Sequence, residues 1–159
     1  MHPGIIIGNG ETVCDISYLK SLGVTHVLNT AEQHVMVNPA KYANHGIQYY
    51  GFHVDDLPHC DISRWALFLN LSIQTFGGEI IPNGFCNYLF RYFQRTTDFI
   101  HSAVRGGGLV VVNCYMGLSR SASCVLAYLM TKQDMSLNKV SRYHALYQIH
   151  SFYPRRWII

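Results

Sequence analysis

The sequence predicts an α/β domain with a central, mostly parallel or mixed sheet and helices on both faces. Three observations predict it. Short β-branched runs alternate with helical stretches along the chain, the order that lays crossover helices over parallel strands. Leu109–Val112 is wholly apolar, as expected of a strand covered on both faces. The chain has 159 residues, 49% hydrophobic and 13% charged, enough to bury one core and short for two.

The elements follow in order. Ile5-Ile6-Ile7 reads as a strand stopped by a turn at Gly8-Asn9-Gly10. Asp15 to Leu22 reads as a short helix, with Asp15 as N-cap and Gly23 as its stop. Thr25–Asn29 is the next strand, Pro39–His45 a helix closed by Gly46, and Ile47–Val54 a third strand running into Asp55-Asp56-Leu57-Pro58. After the turn at Gly106-Gly107-Gly108 come the strand Leu109–Val112 and a long helix, Leu118–Lys132. That helix carries Ala122, Val125, Leu126 and Leu129 on one face. A last helix is expected from Ser136 to about Tyr147.

Composition excludes several classes. A net charge of +3 with no basic run beyond Arg155-Arg156 is too weak for a nucleic-acid footprint. No apolar stretch reaches the length of a membrane span. The start Met1-His2-Pro3-Gly4 lacks the pattern of a signal peptide. Five cysteines, an odd number without metal-ligand spacing, read as free thiols of a reduced, cytoplasmic or nuclear protein. Nine scattered histidines form no metal-binding pair; neither a metal nor another cofactor is expected.

The chemistry concentrates in Val110-Val111-Val112-Asn113-Cys114-Tyr115-Met116-Gly117-Leu118-Ser119-Arg120-Ser121. A buried strand ends at Cys114, a loop containing Gly117 follows, and a helix begins. Such a loop points backbone N–H groups into one concavity and, with the helix dipole, makes an anion site. A cysteine at such a place is favoured as the nucleophilic thiolate. Arg120, six residues on, can reach the same anion with a planar, two-pronged donor. Ser121 can donate to the sulfur when it leaves. The bare C-x5-R pattern is weak: five cysteines and eight arginines give about 0.25 chance occurrences per chain. A cysteine that is only a small buried hydrophobe is the competing reading. The context of apolar strand, mid-loop Gly and Ser-Arg-Ser ahead of an amphipathic helix favours the phosphate loop.

Asn113 to Arg120, with Ser121-Ala122 and Leu126-Ala127-Tyr128-Leu129-Met130, resembles the signature of the small atypical dual-specificity protein phosphatases, within the cysteine-dependent protein tyrosine phosphatase superfamily. Further matches stand in the family's order: Leu22 to Ala31, Tyr50-Gly51-Phe52 leading to Val54-Asp55-Asp56, and Thr97-Asp98-Phe99-Ile100. Together they cover most of residues 3–64 and 92–141. The resemblance implies the protein tyrosine phosphatase-like fold and dephosphorylation of phosphotyrosine, and of phosphoserine and phosphothreonine, in protein substrates without a metal. Cys114 would attack phosphorus, Arg120 and the loop Tyr115, Met116, Gly117, Leu118 and Ser119 would hold the phosphate, Asp56 would protonate the leaving oxygen, and Ser121 would assist the sulfur. Asp55 is the neighbouring candidate for the acid, and an ordinary solvated acidic turn is the competing reading of the pair.

Three departures stand out. Asn113 occupies the place where active members carry His; an amide can donate to a loop carbonyl but carries no charge, so weakened activity is expected. Trp65 to Arg91, 27 residues rich in Leu, Ile and aromatics with Glu79 as its one acid, reads as a non-family insertion in a single domain spanning 1–159. It is compatible with a retained intron, or with a hydrophobic surface for association. The stretch after Val140 departs from the family's closing helices, so a truncated C-terminus is expected. These departures favour an alternative function, an impaired pseudophosphatase that binds phosphoproteins. A rhodanese-like sulfur carrier also uses a cysteine loop, but Ser119-Arg120-Ser121 and the upstream matches argue against it.

Overall fold

A computed structural model describes residues 4–53, 87–136, 138–140, 142 and 157–158. The element order is β1 (Ile5–Gly8), α1 (Gly10–Cys14), α2 (Ile16–Ser21), β2 (His26–Asn29), α3 (Pro39–Asn44), β3 (Gln48–Gly51), α4 (Asn87–Arg105), β4 (Val110–Asn113), α5 (Arg120–Lys132) and β5 (Trp157–Ile158). The sheet order is β3-β2-β4-β1-β5. The first four strands are mutually parallel, with Val110–Asn113 paired on one side to Ile5–Gly8 and on the other to His26–Asn29. β5 is antiparallel to β1. The expected mixed α/β architecture is present.

The period-2 alternation of strands divides the core into two layers. Ile5, Ile7, Leu28, Val110 and Val112 face Phe93, Ile100 and Ala103 of α4 and the apolar side of α5. Ile6, Val27 and Val111 face Val13 of α1, Leu19 of α2 and Tyr42 of α3. β4 lies centrally, and Val110, Val111 and Val112 are all fully buried. Each such side chain contributes about 1.5–3 kcal/mol from burial. This central position is what holds the end of β4 in a fixed place.

The helix starts are set locally. Asp15 Oδ1 accepts from Tyr18 N–H at 2.9 Å at the start of α2, as its N-cap reading requires. Asn38 Oδ1 caps α3 by accepting from Ala40 N–H at 3.0 Å, with Pro39 in the first turn. Such caps contribute about 1 kcal/mol each. Gly23 closes α2 with φ of +77°, a conformation in which a β-carbon would be strained.

Two expectations need correction, and two features were not foreseen. Gly8-Asn9-Gly10 is no simple turn: Gly8 ends β1, Asn9 is an N-cap accepting from Thr12 N–H at 2.9 Å, and Gly10 opens α1. One short helical turn, with Asn9 as its cap, was enough to escape the periodicity reading. The helix expected from Leu118 starts at Arg120, because Leu118 and Ser119 still belong to the loop. α4 begins at Asn87, so residues 87–91 of the 65–91 segment belong to this helix. Trp157–Ile158 pairs with Ile6–Ile7 as an edge strand, which no pattern in so short a segment announced. Residues 54–86, including Asp55, Asp56 and most of the 65–91 segment, lie outside the described residues, as does most of the helix expected from Ser136 to Tyr147. Among the described residues no helix is long and apolar enough to cross a membrane.

Candidate functional site

Cys114 follows the last residue of β4 directly and is 1% exposed. The chain then turns around its sulfur. Gly117 N–H donates to Cys114 Sγ at 3.1 Å, and Ser121 Oγ–H, in the first turn of α5, donates to it at 3.4 Å. Two donors, one from the middle of the loop and one from the helix start, therefore converge on one sulfur, an arrangement suited to a negatively charged atom. Ser119 is the N-cap of α5 but makes no side-chain capping bond. The N-terminus of the helix thus stands at the end of the loop, where its dipole favours an anion. Arg120, the first residue of α5, is 3% exposed. Tyr115, Met116 and Leu118 are exposed around the loop, and Gly117 is buried.

Gly117 is required by two independent constraints. Its φ is +76°, strained for any residue with a β-carbon. A β-carbon would also stand 2.8 Å from Gly8 O and 3.2 Å from Asn9 N. Gly10 N–H donates to Tyr115 O at 3.0 Å. The end of β1 and the start of α1 are therefore the wall on which the loop sits. Sequence reading saw the Gly in the loop and missed its partner wall, more than a hundred positions upstream.

Beneath the loop, Asn113 is fully buried. Its backbone carbonyl accepts from both Thr30 N–H and Thr30 Oγ1–H, each at 2.8 Å. Its Nδ2 donates to Asn29 Oδ1 at 3.0 Å. The donor capacity noted in the sequence is thus used on a side chain of the adjacent strand and not on a loop carbonyl. Its Oδ1 is buried with no hydrogen-bond partner among the described residues, a situation that costs about 1–3 kcal/mol. Asn29 is the hub: Oδ1 also accepts from Ala31 N–H at 3.1 Å, and Nδ2 donates to Val35 O at 2.9 Å and Tyr49 Oη at 3.1 Å. Tyr49 in turn donates to Glu32 Oε1 at 3.2 Å. Burial raises the Tyr49 phenol above its usual range; the Asn29 hydrogen bond opposes this in part and the Glu32 charge adds to it. The phenol therefore keeps the proton it donates.

The other described thiols differ sharply. Cys124, on α5, is fully buried, and burial first of all pushes its thiol up to about 12. Cys14 is exposed and borders an open groove of about 1110 Å³ that runs to Tyr115 and Met116. At pH 8 the thiolate fraction of a group at about 12 is roughly 10⁻⁴, and alkylation needs the thiolate. Native-state iodoacetamide labelling read by peptide mass spectrometry should therefore modify Cys14 readily and Cys124 only after unfolding. Equal rates at the two would contradict this burial.

Of the residues proposed from sequence, the structure brings Cys114, Gly117, Ser119, Arg120 and Ser121 into one loop-and-helix start, with Tyr115, Met116 and Leu118 on its rim. Asp56 lies outside the described residues. Residues 5–154 match the family described as "Dual specificity phosphatase, catalytic domain". Dual specificity protein phosphatase 26 of Bos taurus is 33% identical over 136 residues, covering 85% of this chain and 52% of the relative. The chain thus spans about half the length of the curated relatives it matches. The fold is shared with the crystal structure of DUSP15, at a TM-score of 0.63 and 22% identity over 92% of this chain and 73% of that one. It is also shared with the human tyrosine phosphatase-like serine/threonine/tyrosine-interacting protein, at 0.55 and 20% over 92% and 94%. A central parallel sheet delivering a C-x5-R loop to a helix start, and a family match running over nearly the whole chain, lead to one conclusion: this chain belongs to the dual-specificity phosphatase family.

Proposed function

We propose that the chain hydrolyses phosphate monoesters of tyrosine, and of serine and threonine, in protein substrates through a phosphocysteine intermediate. The observation that carries this reading is the convergence of Gly117 N–H and Ser121 Oγ–H on the buried Cys114 sulfur at the N-terminus of α5. In the first step Cys114 Sγ attacks phosphorus, an S–P bond forms and the ester P–O bond breaks. The leaving oxygen takes a proton from Asp56. Arg120 and the loop amides hold the equatorial oxygens as their charge redistributes. In the second step water attacks phosphorus and gives its proton to the Asp56 carboxylate. The S–P bond breaks and inorganic phosphate leaves. The returning sulfur carries the negative charge, and the Gly117 and Ser121 donors are placed to stabilise it.

The alternative is a phosphoprotein-binding module without turnover. Its support is Asn113, which ties the loop down through a neutral amide pair instead of a charged group. Incubating the purified chain with a generic aryl phosphate decides between the two. Turnover inhibited by vanadate, a mimic of the five-coordinate phosphorus, is expected. A folded chain that binds a phosphopeptide and releases no phosphate would establish the alternative instead.

A further inference from the structure

We propose that Glu32 and Tyr49, neither of them in the phosphate loop, are positioning residues that fix Cys114 through a directed hydrogen-bond relay. The direction of the relay is dictated by backbone groups at its centre. Val35 O can only accept, so the Asn29 atom 2.9 Å from it is Nδ2. Ala31 N–H can only donate, so the Asn29 atom 3.1 Å from it is Oδ1. The Asn29 amide therefore has one orientation. Its second Nδ2 hydrogen goes to Tyr49 Oη, which leaves the phenol's own hydrogen for the Glu32 carboxylate. On the other side, Asn29 Oδ1 can be met only by a donor, so Asn113 must present Nδ2.

Every donor in the series Asn113, Asn29, Tyr49 thus points toward Glu32, and each bond polarises the next. The near end of the relay is the residue before the nucleophile, whose carbonyl is held twice by Thr30. The far end is a half-buried carboxylate on the segment after β2. Tyr49 stacks on Tyr42 with ring centroids 5.2 Å apart and planes at 18°, so the phenol is held in place to hand the bond on. A neutral Asn at position 113 has no charge of its own with which to organise the loop. In this chain that organisation comes from the carboxylate at the other end.

The inference rests on the reading of residues 114–121 as the reacting loop for its kinetic arm only. Tyr49→Phe keeps the stacked ring and removes the link. It should lower kcat for an aryl phosphate about 3–10-fold with KM within about twofold, since members of one network couple by roughly 0.5–3 kcal/mol. Independently of turnover, amide hydrogen exchange at Thr30 and Gly117, whose N–H groups bond to Asn113 O and Cys114 Sγ, should quicken about fivefold or more as the region opens locally, with Val27 unchanged. Glu32→Gln, which keeps an acceptor but removes the charge, should show part of the loss, Glu32→Ala should fall between Glu32→Gln and Tyr49→Phe, and Tyr49→Phe/Glu32→Ala should be no worse than Tyr49→Phe. A parent without turnover would sink the phosphatase reading and leave the exchange arm to decide this one. Exchange at Thr30 and Gly117 unaltered in Tyr49→Phe, or additive losses in the double variant, would overturn the inference.

Discussion

Replacing Cys114 with serine should reduce aryl phosphate turnover by at least about 10⁴-fold, the scale on which loss of a nucleophile acts in enzymes that work through a covalent intermediate. The serine hydroxyl would sit where the sulfur sits, 1% exposed at the end of β4. Gly117 N–H and Ser121 Oγ–H would still point at it. The loop should therefore keep its shape, and stability should change by no more than about 1–2 kcal/mol. What is lost is the sulfur nucleophile: a serine hydroxyl is a far weaker nucleophile at neutral pH. Phosphate release under saturating substrate measures the loss. Mass spectrometry of the acid-quenched parent should show a phosphorylated Cys114 peptide that is absent from Cys114→Ser. A serine protein retaining more than about a hundredth of the parent's turnover would show that Cys114 is not the nucleophile.

Arg120→Lys should cost about 10²–10³-fold in kcat/KM, although the positive charge is conserved. Removal of one preorganised donor to a developing oxyanion has that scale. Arg120 opens α5 and is 3% exposed, so its guanidinium works in a largely water-excluded place where a bidentate match to two phosphate oxygens counts most. Lysine supplies a point charge and cannot span two oxygens. The loss should appear in vanadate affinity as well as in kcat, because both report the held oxygens. Arg120→Lys within tenfold of the parent on both would mean that the loop amides alone carry the phosphate.

The strands were legible because burial on both faces writes itself into composition. Ile5–Ile7 and Val110–Val112 have nowhere polar to point, and so read as apolar runs. The helix ends at Asp15, Gly23, Pro39 and Gly46 were legible because capping and left-handed stops are chemistry of single residues. α1 was not legible, since five residues give too little periodicity to separate a helical turn from a loop. Nor was β5, where two residues pair with β1 and propensity has almost nothing to act on. Asn113 was recognised as a substitution able to donate, but the acceptor it meets was not legible: that depends on what the next strand presents.

The sequence by itself determined that a cysteine stands at the end of a buried strand, six residues before an arginine and just ahead of a long helix. Those facts are local, fixed by hydrophobic pattern and spacing. Only the tertiary structure decided what stands around that cysteine. Gly8 and Asn9 became the wall against Gly117 because β1 lies beside β4. Asn29 came to meet Asn113, 84 positions away, because β2 lies on the other side. Tyr49 and Glu32 joined through β3, the next strand out. Strand order settles these neighbours, and strand order is chosen by the packing of the whole sheet; no window of sequence contains both members of such a pair.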